Sequence, residues 1–170
     1  MERCKIRQIR GETTPQKTLY AESVAPFDFN RKNSEIAGMN DLFRLISTET
    51  AITQYQIAEK IYESKEMFHD IVESDNHFLV YEGDVLLSGH FMLDTDKLAD
   101  TYKGKWIAGY IITGNLTVAG NIINEEGDYG PALYVAGNVS CQSMLLGGAP
   151  VHITGNITAE EVIMLHYNHG

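Results

Sequence analysis

A nearly identical phrase is written three times in this chain: ITGNLTVAGN at 112–121, VAGNVS at 135–140 and ITGNIT at 153–158. Chemistry needs one nucleophile in one pocket, whereas a phrase that recurs specifies a unit that stacks on copies of itself. Setting Gly83, Gly114, Gly137 and Gly155 in one column puts Tyr81, Ile112, Val135 and Ile153 two positions before it. Val85, Leu116, Val139 and Ile157 then fall two positions after it. Two more columns flank these: Leu79, Tyr110, Leu133 and Val151 on one side, Leu87, Val118, Cys141 and Ala159 on the other. Between them Thr117, Ser140 and Thr158 form a hydroxyl column, the alternation expected of strands with one face inward.

Each glycine of the column is followed by Asp or Asn, a pair suited to left-handed backbone angles at a corner. Gly89-His90 and Gly120-Asn121 mark a second corner. Strand, corner, strand, corner, strand at a period near twenty residues describes one rung of a parallel β-helix, and about four rungs are present. A sandwich of hairpins is the competing arrangement, because Gly-Asn also closes hairpins. The glycine intervals of 31, 23 and 18 residues leave insertions, DTDKLADTYKGK at 94–105 and NEEGDYG at 124–130, which should protrude as polar loops.

The fold class is therefore mainly β with an α-helical N-terminal segment, in three parts: an extended basic arm over 1–33, a helical cap over 34–75 and a parallel β-helix over 76–170. Pro15 and Pro26 break up the arm after the alternating run CKIRQIRG. In the cap, Ile52, Tyr55, Ala58, Ile61, Phe68, Ile71 and Val72 recur at helical spacing, and Ser64 is placed to cap a second helix. Open ends of a stack expose core and strand edges, so short helices closing the N-terminal end are expected.

Charge narrows the partners. Thirteen basic and 23 acidic residues give a net charge of −10, which repels nucleic-acid phosphates and anionic membranes and favours a basic protein partner. Residues 1–17 run against this trend, with five basic and two acidic side chains, a local +3. Two cysteines are too few for a disulfide framework, no apolar run reaches membrane-spanning length, and MERCKIRQIR lacks a following signal-peptide segment. A reducing cytoplasm is the expected location.

The segments GDYGPALYVAGN and HYNHG, within the pattern running from LTVAGN to the last residue, resemble small bacterial β-helix proteins related to the bactofilins, polymer-forming cytoskeletal proteins. The resemblance covers roughly residues 77–170. It implies a right-handed β-helix without catalytic apparatus, capable of self-association through rung edges. Short β-helix domains with variable leading segments also resemble members of bacterial toxin and immunity systems, in which a compact acidic protein sequesters a basic toxin.

Two site readings compete with simple protein binding. His152, His166 and His169, with Asp128, are candidate metal ligands, but an H-x-x-H pair at a chain end supplies only two donors and lacks the glutamate of an H-E-x-x-H site. The acidic insertions offer paired carboxylates of the kind used on carbohydrates, yet so few rungs leave little groove for a polymer. Cys141 falls in an inward column and reads as a small buried apolar residue. No GxSxG or phosphate-binding loop is present. The expectation is a non-enzymatic protein without cofactor that binds a basic, nuclease-like toxin through Asp94, Asp96, Asp100, Glu125, Glu126 and Asp128. A self-assembling scaffold and a small carbohydrate-active or metal-binding enzyme are the alternatives.

Overall fold

The computed structural model describes residues 42–61, 76–94, 102 and 104–166. The expected basic arm, the Ser64 cap, Asp96, Asp100 and His169 lie outside these residues. The described part is mainly β, with two short helices and predominantly parallel sheets.

The glycine-aligned segments become successive repeats. The first contributes β2 (Asn76–Tyr81), β3 (Val85–Leu87) and β4 (Phe91–Met92); the second β5 (Trp106–Ile112), β6 (Leu116–Val118) and β7 (Ile122–Ile123). The third gives β8 (Ala132–Val135) and a long β9 (Val139–Leu146), the fourth β10 (Val151–Ile153) and β11 (Ile157–Leu165). β2, β5, β8 and β10 pair in parallel in one sheet, while β3, β6, β9, β7 and β4 form the other, with β11 also on β9. Parallel pairing between repeats rules out the hairpin sandwich for these strands.

Register follows the sequence columns. Tyr81 pairs with Ile112 and Ile112 with Val135, which also faces Ile153. Val85 pairs with Leu116, Leu116 with Val139, and Val139 with Ile157. The inward members Leu79, Tyr110, Leu133, Val85, Leu116 and Val139 meet in one core, each at most 4% exposed. Burying an aliphatic side chain of this size contributes about 1.5–3 kcal/mol, so a column of them holds its register firmly. Thr117, Ser140 and Thr158 face solvent, as alternation requires.

The glycine column departs from expectation. Gly83 alone among its four members has a left-handed φ, +102°, and no Asn or Asp of the corner has one. At Gly137 a Cβ would lie 2.6 Å from Asn115 Oδ1 and 2.7 Å from the carbonyl carbon of Gly114; at Gly155 it would lie 2.6 Å from Asn138 Oδ1. Glycine is needed there because the backbones of adjacent repeats approach too closely for a side chain.

The helical segment also sits elsewhere than expected. Arg44–Ser47, read as part of a helical region, is a strand, β1, antiparallel to β2 with Arg44 opposite Val80 and Ser47 opposite His77. Ser47 then caps α1 (Thr48–Tyr55), its hydroxyl accepting from Thr50 N at 3.2 Å. Gln56, at φ 55°, ends α1 and turns the chain into α2 (Ile57–Ile61). These helices do not close the end of the stack. Ala51 and Ile57 pack with Phe78, Val80, Ile111 and Tyr134 on the outer face of the first sheet. The physical reason is that this face is apolar and needs cover, as sheets buried on both sides do. The end is filled instead by Phe43, whose ring lies 5.8 Å from that of Tyr110, 6.0 Å from Tyr81 and 6.3 Å from Phe91.

Candidate functional site

Two features of the surface combine defined geometry with polar side chains: a ladder along the glycine corner and the acidic loop at 124–130. The ladder begins at Asp84. Its Oδ1 accepts from Asn115 N at 2.7 Å and Asn115 Nδ2 at 3.0 Å. Asn115 Oδ1 accepts in the same way from Asn138, at 2.8 and 3.0 Å, and Asn138 Oδ1 from Asn156 N at 2.9 Å. Each amide thus satisfies the corner N–H of the next repeat while its own NH2 reaches back to the previous one. These hydrogen bonds hold the Asp84 carboxyl below its ordinary pKa, the backbone N–H of Asn115 being the main cause and its side-chain amide the next.

Beside the ladder runs an open depression of about 440 Å³, lined in part by Leu86, Asn115, Thr117, Asn138 and Ser140. Asp84 is the single carboxylate among its lining residues, and it is engaged by Asn115. Paired carboxylates do not meet there.

The acidic insertions divide by role. Asp94 is turned into the protein: Oδ1 accepts from Asn124 Nδ2 at 2.6 Å and Glu126 N at 3.4 Å, and Oδ2 from Glu125 N at 2.7 Å. It is a clamp holding the loop of the next repeat, a role that a reading of charge alone missed. Asn124, 5% exposed, completes the clamp by accepting from Ala149 N at 2.9 Å through Oδ1. The Asn124 and Glu126 carbonyls accept from Gly147 N at 3.2 Å and Gly148 N at 2.9 Å. The loop is therefore fastened to the repeat before it and the repeat after it. Glu125, Glu126 and Asp128 are exposed on it, with Tyr129 beside them at 62% exposure. A fastened loop presenting three exposed carboxylates and an exposed aromatic ring loses little entropy on meeting a partner.

Histidines are dispersed. The His152 ring lies tilted, 5.7 Å from that of Tyr134, on the outer face of the first sheet, and His166 follows β11, its N–H donating to Leu146 O at 2.8 Å. Among the described residues no three His, Cys, Asp or Glu side chains gather closely enough to hold a metal ion. Cys141 is 3% exposed, and burial first, then the Glu160 charge, raises its thiol pKa. That environment disfavours the reactive thiolate.

On the flank, Tyr55 OH donates to Glu82 Oε1 at 2.6 Å, and Arg44 donates to both, at 3.0 and 2.8 Å. This exposed triad fastens α1 to the first sheet. No described helix is long and apolar enough to cross a membrane. No family model, no curated protein and no solved structure matches the chain.

Proposed function

We propose that the chain is a right-handed parallel β-helix of about four rungs that works by binding: an acidic bacterial immunity protein that sequesters a basic, nuclease-like toxin domain in the cytoplasm. The observation that carries this reading is the fastened loop on which Glu125, Glu126, Asp128 and Tyr129 are all exposed. A toxin that grips nucleic acid presents cationic surface, and an acidic partner finds it quickly and covers the phosphate-binding face. The net charge of −10 supplies the long-range attraction, and the exposed Tyr129 is of a residue type enriched at binding hot spots. Because Asp94 is spent on the loop, the contact belongs to the three exposed carboxylates.

The test is the association of the full chain with basic nuclease toxin domains at two salt concentrations. The variant carrying Glu125→Lys, Glu126→Lys and Asp128→Lys should associate about tenfold or more slowly at low salt and lose much of its salt dependence. Unchanged kinetics would remove the loop from the proposal. A second reading, a bactofilin-like scaffold, draws support from the edges of β10 and β11 that face away from the earlier repeats. It requires open-ended growth with concentration, measured as absolute mass by light scattering behind a sizing column.

A further inference from the structure

β11 pairs with β9 and with no other described strand, so its second edge has no described partner. Ile157, Val162, Ile163, Met164 and Leu165 on it are 42–69% exposed. Ile157 and Ile163 nonetheless continue inward columns that are closed one repeat earlier, where Val139 and Met144 are each 1% exposed. At the bend of β11, where the register slips between Ala159 and Val162, Glu160 and Glu161 are both exposed. Glu161 accepts from Gln142 Nε2 at 2.9 Å and Ser143 Oγ at 3.3 Å. A strand that covers this end must bring apolar side chains to the inward positions and a cation to the bend.

One stretch of this chain has that pattern. β9 reads Val-Ser-Cys-Gln-Ser-Met, inward at Val139, Cys141 and Met144 with Gln142 at the bend. Residues 4–9 read Cys-Lys-Ile-Arg-Gln-Ile, so that, aligned on β9, Cys4, Ile6 and Ile9 match its inward positions and Arg7 matches Gln142. We propose that residues 4–11 pair in parallel with β11 as a further rung, with Arg7 against Glu160 and Glu161, closing the end of the stack within the same chain.

Length permits it. The thirty residues from 12 to 41 can span up to roughly 100 Å at about 3.3 Å each, against roughly 20 Å for four stacked rungs at about 4.8 Å. Charge favours it, because the local +3 of residues 1–17 would meet an acidic bend on a body of −13. Tethering favours closure in one chain over capture from another, because the attached segment is present at high effective concentration. At the opposite end the first sheet is already edged by antiparallel β1 and the core filled by Phe43, so an added rung there would have an edge to join in the second sheet alone.

Amide hydrogen exchange of the full chain, followed by mass spectrometry on peptides spanning 157–165, tests this. The native chain should protect these amides, and Arg7→Glu should speed their exchange about tenfold while leaving β5 and β8 unchanged. Combining Arg7→Glu with Glu160→Arg and Glu161→Arg should restore the protection, with a monomeric mass throughout. Equal exchange in all three proteins would overturn the proposal. So would protection that rises with concentration alongside a dimeric mass, because a second copy would then supply the cover.

Discussion

Asp84 Oδ1 and Asn115 N stand 2.7 Å apart, and that bond starts a line of amides reaching Asn156. It gives the ladder one ionisable member, at its N-terminal end. The Asp84 carboxyl titrates below its ordinary 3.8, chiefly through the Asn115 N–H, and the Glu82 carboxyl below 4.5, chiefly through the Tyr55 hydroxyl. A depressed pKa means stability that is complete above the unfolded value and lost as pH falls through the folded one. The urea midpoint should therefore hold steady down to about pH 4.5 and decline below it. Asp84→Asn, which keeps an acceptor without a charge, should make that decline shallower.

The interior of the ladder should matter more than its end. Asn138→Ala leaves the Asn156 N–H without its acceptor and removes the amide that donates to Asn115. A loss of about 1–3 kcal/mol is expected in denaturant unfolding. Asn156→Ala removes only the weaker side-chain bond, 3.5 Å long, and should cost less than half as much.

Two glycines of one column should respond to alanine for different reasons. Gly83, at φ +102°, has nothing within 4 Å of the place an alanine methyl would take, so Gly83→Ala should cost about 1–2 kcal/mol through backbone strain alone. Gly137→Ala drives a methyl against the backbone of Gly114 and should cost about 2–4 kcal/mol. Gly83→Asn should recover part of its loss, whereas Gly137→Asn should recover none. Thermal unfolding of the four variants separates the two mechanisms.

Phe43 supplies a third contrast. It is 6% exposed and touches three aromatic rings at the end of the core, so Phe43→Ala should destabilise by about 3–5 kcal/mol. Leu42→Ala, at an adjacent residue that is 44% exposed, should change stability by less than about 1 kcal/mol.

Cys141 should resist alkylation in the native protein, because its thiol is buried and its pKa raised. Its labelling by iodoacetamide at pH 8, read on the peptide that contains it, should rise at least a hundredfold in denaturing urea. Comparable rates in both conditions would show that the inward column opens locally.

The columns were legible because a strand alternates with a strict period of two and because glycine spacing set the register of the repeats. Val85, Leu116 and Val139 could be aligned from the sequence and do pair. The place of the helices was less visible, since Phe-Arg-Leu-Ile-Ser at 43–47 has no local mark of a strand whose partner lies about thirty residues on. A signal was present in that partner: Phe78, Leu79 and Val80 are consecutive apolar residues, as are Tyr110, Ile111 and Ile112, and unbroken runs announce a sheet covered on both faces. Asp94 was misjudged for another reason. A carboxylate in a polar insertion reads as surface charge, and nothing local tells that three N–H groups from the following repeat will converge on it.

From β5 onward, every described strand bonds to one that precedes it in the chain: β5 to β2, β6 to β3, β7 to β4, β8 to β5, β9 to β6 and β7, β10 to β8, and β11 to β9. A ribosome releasing this chain from its N-terminus thus delivers each segment to a template already made. The wait of β2, β3 and β4 for their parallel partners lasts one repeat and its insertion, and each later repeat shortens it.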